Sequence, residues 1–184
     1  AGAPRLEGPS VAPARRRPGK TGREDFSALP EAERERIRAK WWGFAGAGAA
    51  QDRRFQLVAA AVLHAKATEQ AVRRGLEALA ALGVKAEAGP RVLTAELLAS
   101  VPVEAVEVAL EGVHWHKAKA GRLVAAARAV RGPWRGHVPC QEAELLKLPG
   151  IGPRLAAVLA FVFAGADEGD GEGRPEAGAA GGVT

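Results

Sequence analysis

Along the chain, apolar and polar positions alternate with helical periods and nowhere with the two-residue period of a half-buried strand. Phe55, Leu57, Val58, Ala61, Val62 and Ala65 recur at helical spacing, which predicts a strongly apolar helix in the middle of the fold. The apolar pattern breaks over Lys66 to Glu69, where Thr68 is suited to cap a second helix, Glu69 to Ala81, with Val72, Leu76, Leu79 and Ala80 as its buried stripe; Gly83 ends it. Three further short helices are expected. They run from Thr94 to Ser100 with Thr94 as cap, from Pro102 to Glu111, and from Lys117 to Val130 after the corner Gly112-Val113-His114-Trp115-His116. Upstream, Glu31 to Trp42 reads as a charged surface helix with acidic residues leading and basic residues following, closing on Trp41 and Trp42 as packing anchors; Gly43 to Ala50 reads as a flexible connector.

The last pair of helices, Glu142 to Leu148 and Pro153 to Ala164, is joined by Pro149-Gly150-Ile151-Gly152. Two glycines permit positive φ, and Pro153 opens a helix where its missing N–H costs little. The product is a helix-hairpin-helix whose turn directs backbone N–H groups outward at the positive end of a helix dipole. That geometry suits a phosphate oxygen and is indifferent to base identity. A plain helical hairpin, in which the glycines only permit close packing, is the competing reading.

Composition narrows the class. The 184 residues include no Tyr, five Phe and four Trp, so strand formers are scarce and the fold class expected is all-α. A single cysteine, Cys140, excludes an intrachain disulfide and any iron–sulfur or zinc site built from several cysteines of this sequence; it reads as a small residue at a helix start after Pro139. No apolar run reaches membrane-spanning length, so no membrane insertion is expected.

Charge adds a partner. The net charge is +5 and it is sorted along the chain: residues 1–24 carry six Lys/Arg against two Asp/Glu, and residues 166–184 one against five. The expected organisation is a basic Pro/Gly/Arg-rich arm at 1–26, a charged helix and connector at 27–50, a helical domain at 51–165 and an acidic Gly/Ala-rich tail at 166–184. The arm, with Arg15, Arg16 and Arg17, is either a solvated tail or a segment that orders along a polyanion. The sequence opens on Ala1 rather than Met, as a chain that has shed a targeting segment would.

Residues 55–165 resemble the endonuclease III family of helix-hairpin-helix DNA glycosylases through four landmarks in the family's order. Phe55-Gln56-Leu57 through Ala65-Lys66-Ala67-Thr68-Glu69 resembles the family's buried helix and Ala-Gln-Ala-Thr-Asp segment. Gly112 to Ala118 is similar to its Gly-Leu-Tyr-Asn-Ser-Lys-Ala, Gly136-His137-Val138-Pro139 to its Gly-Glu-Val-Pro, and Leu148-Pro149-Gly150-Ile151-Gly152 to its Leu-Pro-Gly-Val-Gly. The resemblance implies a six-helix-barrel subdomain with the hairpin at its edge.

Departures from the family pattern bear on chemistry. Bifunctional members carry, two residues after the second turn glycine, a lysine that attacks C1′ of the damaged nucleotide; here that position is Arg154, whose guanidinium stays protonated and offers no free amine. The family's Val-Asp-Thr-His-like segment has no match after the hairpin, which leaves Asp167 and Asp170 poor catalytic candidates, and the four cluster cysteines are missing. The glutamine that fills the gap left by a flipped base corresponds to Lys66, and the neighbouring serine position to His64, read here as a packed residue.

The resulting expectation is a catalytically inactive, truncated and degenerate relative of endonuclease III, with no catalytic residue, cofactor or metal. Its nucleic-acid phosphate-binding residues would be Gly150, Ile151, Gly152, Arg154, Lys66, Lys117, Lys119, Arg15, Arg16 and Arg17. By analogy and by the composition of the arm, the assembly expected is a ribonucleoprotein with neighbouring proteins, namely an organellar, mitochondrial ribosome, and the polyanion rRNA rather than DNA. An active base-excision DNA glycosylase or abasic-site lyase is the alternative, and a protein-interaction scaffold that meets no nucleic acid is a third class.

Overall fold

The computed structural model describes residues 25–83 and 90–165. Among these residues there are only helices: a one-turn 3₁₀ helix (Phe26–Ala28), α1 (Glu31–Trp42), α2 (Ala50–His64), α3 (Glu69–Ala80), α4 (Ala95–Ser100), α5 (Val103–Ala109), α6 (His116–Arg131), α7 (Glu142–Leu145) and α8 (Pro153–Ala164). Arg15, Arg16, Arg17 and the acidic tail lie outside the described residues.

Helix α2 is the axis of the core. Every residue from Phe55 to Leu63 is buried, because the helix is covered by α3, α6 and α8 rather than by one neighbour. Helix α6 packs in turn against α4 and α5. Thr68 and Thr94 cap α3 and α4, their hydroxyls accepting from the amides of Ala71 (3.2 Å) and Leu97 (3.0 Å). Gly75 lets α3 approach closely: a Cβ there would stand 3.2 Å from Leu63 and Leu110 side chains.

The segment 43–50 is held in place, contrary to the expectation of a flexible connector. Phe44 is buried, and the Gln56 amide reaches out of α2 to accept from the Gly46 N–H (2.5 Å) while donating to the carbonyls of Ala47 (2.9 Å) and Leu93 (3.2 Å). Arg73 adds a bond to the Gly43 carbonyl (2.6 Å). One buried amide thus satisfies backbone groups from two loops, a tertiary arrangement without a local signature in a Gly/Ala run.

Helix α1 is the expected surface helix, with no buried residue, and it lies across α8. Phe26 stacks on Phe161 at 4.7 Å between centroids, Trp42 meets Phe163 at 6.3 Å, and the Arg38 guanidinium sits 4.6 Å from the Phe161 centroid. Trp41 packs against Phe44 and His64, whose ring is half-buried between them. Helix α2 also orients the approach to the hairpin, Gln51 accepting from the Val138 N–H at 2.9 Å.

Candidate nucleic-acid interface

The first helix of the hairpin ends one turn earlier than its apolar pattern suggests. Helix α7 ends at Leu145, and the chain continues through tighter i to i+3 bonds, Lys147 N–H to Glu144 (2.9 Å) and Leu148 N–H to Leu145 (3.0 Å). Leu145 and Leu148 are buried and anchor the turn from below. Gly150 then takes φ +87°, and a Cβ there would lie 3.1 Å from Arg122 Cβ and 3.3 Å from Val62. Glycine is required on both counts, by the left-handed backbone and by the close approach to α2 and α6.

Ile151 differs from the sequence expectation. Its side chain is buried and its N–H donates to the Leu148 carbonyl at 3.1 Å, so this amide closes the turn and is not presented outward. The Gly150 and Gly152 amides have no acceptor among the described residues, and so remain available to a ligand. Gly152 is the N-cap of α8, which carries no side-chain cap and has Pro153 in its first turn. The N-terminus of this helix keeps its partial positive charge, and exposed Arg154 adds a full one.

Lys119 overturns its assignment as a phosphate contact. It is 1% exposed, and its ammonium donates to the carbonyls of Leu63 (2.7 Å) and Ala65 (2.8 Å) at the C-terminus of α2. Burial, and secondarily the nearby Arg122, hold its pKa below the ordinary lysine range. The reason is periodicity: Lys119 lies on the same stripe of α6 as buried Leu123, Ala126 and Val130, so a cation is carried inward where the end of α2 offers carbonyls. Lys117, two residues earlier, is exposed.

The buried ammonium ties two corners together. Ala65 precedes Lys66, which has φ +52°, and the Lys66 ammonium lies 4.8 Å from the ring centroid of Trp115, which has φ +58° as the N-cap of α6. Gly150 of the hairpin turn lies close against Arg122 of α6, and one turn before Arg122 the Lys119 ammonium holds the end of α2 from which Lys66 reaches Trp115. Lys66, Lys117, Arg122 and Arg154 are exposed cations of the α2 end, α6 and the start of α8. Arg122 and Trp115 were not among the expected contacts. Arg122 is exposed on α6, and nothing in the sequence marks a tryptophan for left-handed backbone.

Among the described residues no cluster of His, Cys, Asp and Glu is arranged to hold a metal ion, and no helix is long and apolar enough to cross a membrane. The hairpin and these exposed cations can bind anions through two turn amides, one helix N-terminus and several charges spread over three elements, which is suited to consecutive phosphates of a polyanion rather than to one small ion.

No protein-family model matches the chain, and no curated protein does. Solved structures do. One is a trapped endonuclease III–DNA covalent intermediate in an estranged-adenine complex, with a TM-score of 0.53 and 21% identity over 74% of this chain and 62% of that one. Another is a non-covalent endonuclease III–DNA complex, with a TM-score of 0.50 and 22% identity over 72% and 59%. This chain spans about three fifths of the length of those proteins. With its all-helical order and its glycine hairpin set against α2 and α6, the chain has an endonuclease III-like fold.

Proposed function

We propose that this protein is a non-catalytic nucleic-acid-binding module, a pseudoenzyme that grips a phosphate backbone along the Lys66–Lys117–Arg122–hairpin edge. The observation that carries the proposal is the hairpin itself: amides at Gly150 and Gly152 with no acceptor among the described residues and an α8 N-terminus without a side-chain cap, with a guanidinium at Arg154. The resemblance to endonuclease III implies a lysine amine at that position for attack on a sugar carbon. Arginine retains the charge beside a phosphate and lacks a deprotonable amine. Lys119, the one buried lysine among the described residues, has its ammonium committed to two carbonyls at the C-terminal end of α2.

For the assembly, we favour an rRNA-contacting role in a mitochondrial ribosome. The basic composition of residues 1–24, with Arg15, Arg16 and Arg17, and the acidic composition of residues 166–184 support such a ribonucleoprotein setting with protein neighbours. The DNA in the similar endonuclease III structures favours the second reading, an active DNA glycosylase or lyase.

The test is the charge-reversed variant K66E/K117E/R154E, titrated beside the wild type with structured RNA and with duplex DNA over a range of salt concentrations. Each phosphate contact removed should lower the slope of log affinity against log salt by about 0.7–0.9. Unchanged affinity and unchanged slope would rule out this edge as the phosphate-binding surface.

A further inference from the structure

Trp115 is the one large aromatic side chain among the described residues that is mainly exposed, at 52%, and it is held in left-handed backbone that a bulky residue rarely adopts. Such strain persists where surrounding structure fixes it, and it is concentrated at ligand-binding positions. Here the corner is fixed from beneath. Val113 is buried and accepts the His116 N–H (3.0 Å), and the Trp115 carbonyl accepts the Lys119 N–H (3.0 Å) while the Lys119 ammonium anchors the facing corner of α2. The indole is thus presented at a set angle beside Lys66, with the His114 ring at 4.8 Å.

We infer that Trp115 is a stacking platform for an unpaired nucleobase, with Lys66 taking the adjoining phosphate. This rests on the proposed nucleic-acid edge and specifies what that edge selects. Bases inside a duplex already stack on each other, so an exposed indole has a face to offer only to a base that is unpaired or extruded. Charge complementarity supports the assignment: the Lys66 ammonium stands 4.8 Å from the indole centroid, and exposed Lys117 follows Trp115 by two residues in the chain. A phosphate drawn to Lys66 brings its base beside the indole. An αL tryptophan serving only as packing would be expected to be buried, whereas Trp115 is mainly exposed.

The proposal is tested by titrating the wild type, W115G and W115F with a short single-stranded oligouridylate, the matching oligothymidylate and a duplex of the same length. Tryptophan emission and anisotropy are followed. W115G should weaken single-strand binding about tenfold or more while duplex binding stays within about twofold; W115F should retain most of the affinity, since a phenyl ring still stacks. Quenching by the single strand should be present in the wild type and largely lost in W115F, which identifies Trp115 among the four tryptophans. Because glycine suits φ +58°, W115G should melt no lower than the wild type. Single-strand binding by W115G equal to that of the wild type, or a lower melting midpoint with binding retained, would overturn the stacking role and leave the phosphate edge standing. Loss of binding to every nucleic acid in the charge-reversed variant alone, with W115G normal, separates the two readings in the same way. A wild type that binds none of the three overturns both.

Discussion

The hairpin turn and the paired corners at Lys66 and Trp115 solve the same backbone problem with different residues. Each needs a left-handed residue, at φ +87° for Gly150, +52° for Lys66 and +58° for Trp115. At the hairpin the residue is glycine, because a Cβ would press on Arg122 and Val62; the turn's function lies in its backbone amides. At the corners the residues carry long side chains that end beside one another in solvent, so their function lies in the side chains. Backbone strain marks a side-chain site here, and its absence marks a backbone site.

That contrast depends on the support beneath both turns, and the largest effect is expected there. K119M should lower stability by about 3 kcal/mol, since two hydrogen bonds from a charged donor are lost and the Leu63 carbonyl is left buried. Chemical denaturation measures it. The loss should shrink at acid pH relative to alkaline pH. Burial lowers the Lys119 pKa, so the folded state binds this proton less tightly than the unfolded state. The wild type therefore gains stability over K119M as pH rises through that depressed value toward the ordinary lysine range.

G150A should cost about 1–2 kcal/mol from the left-handed backbone, with some further loss where its Cβ meets Arg122 at 3.1 Å. The same change at a corner should act oppositely. K66G should gain about 0.5–1 kcal/mol of stability while weakening nucleic-acid binding, because it relieves φ +52° and removes the ammonium. If K66G is as destabilising as G150A, the distinction between backbone site and side-chain site fails. The smallest effect belongs to the Glu69 carboxylate at the start of α3, whose pKa is lowered chiefly by its hydrogen bond from Arg73. Its contribution should be present at neutral pH and lost as pH falls through that lowered value, so the melting midpoints of E69Q and wild type should converge in acid.

The same contrast explains what the sequence disclosed. The hairpin was legible because Gly150 and Pro153 are residues that a tight turn and a helix start demand, whereas Gly152, at φ −92° with open space around it, takes no positive φ; the helices were legible because their apolar stripes follow the 3.6-residue period. Threonine caps at 68 and 94 were legible for the same local reason. Lys119 was misplaced because its charge was weighed above its position on the stripe with Leu123 and Val130. The 43–50 segment was misread because its order comes from Gln56, a residue of the neighbouring helix whose amide also reaches Leu93. Lys66 was placed by resemblance, and its pairing with Trp115 was visible only once α2 and α6 were set side by side.

The claim on which the account turns is that this edge retains a phosphate grip without a nucleophile. Borohydride trapping on abasic-site DNA tests it directly, with reversible binding to the same DNA followed in parallel. The account predicts retention of the DNA with no covalent adduct in the wild type. A borohydride-stable adduct mapped to a lysine of this chain, Lys66 and Lys117 included, would contradict it.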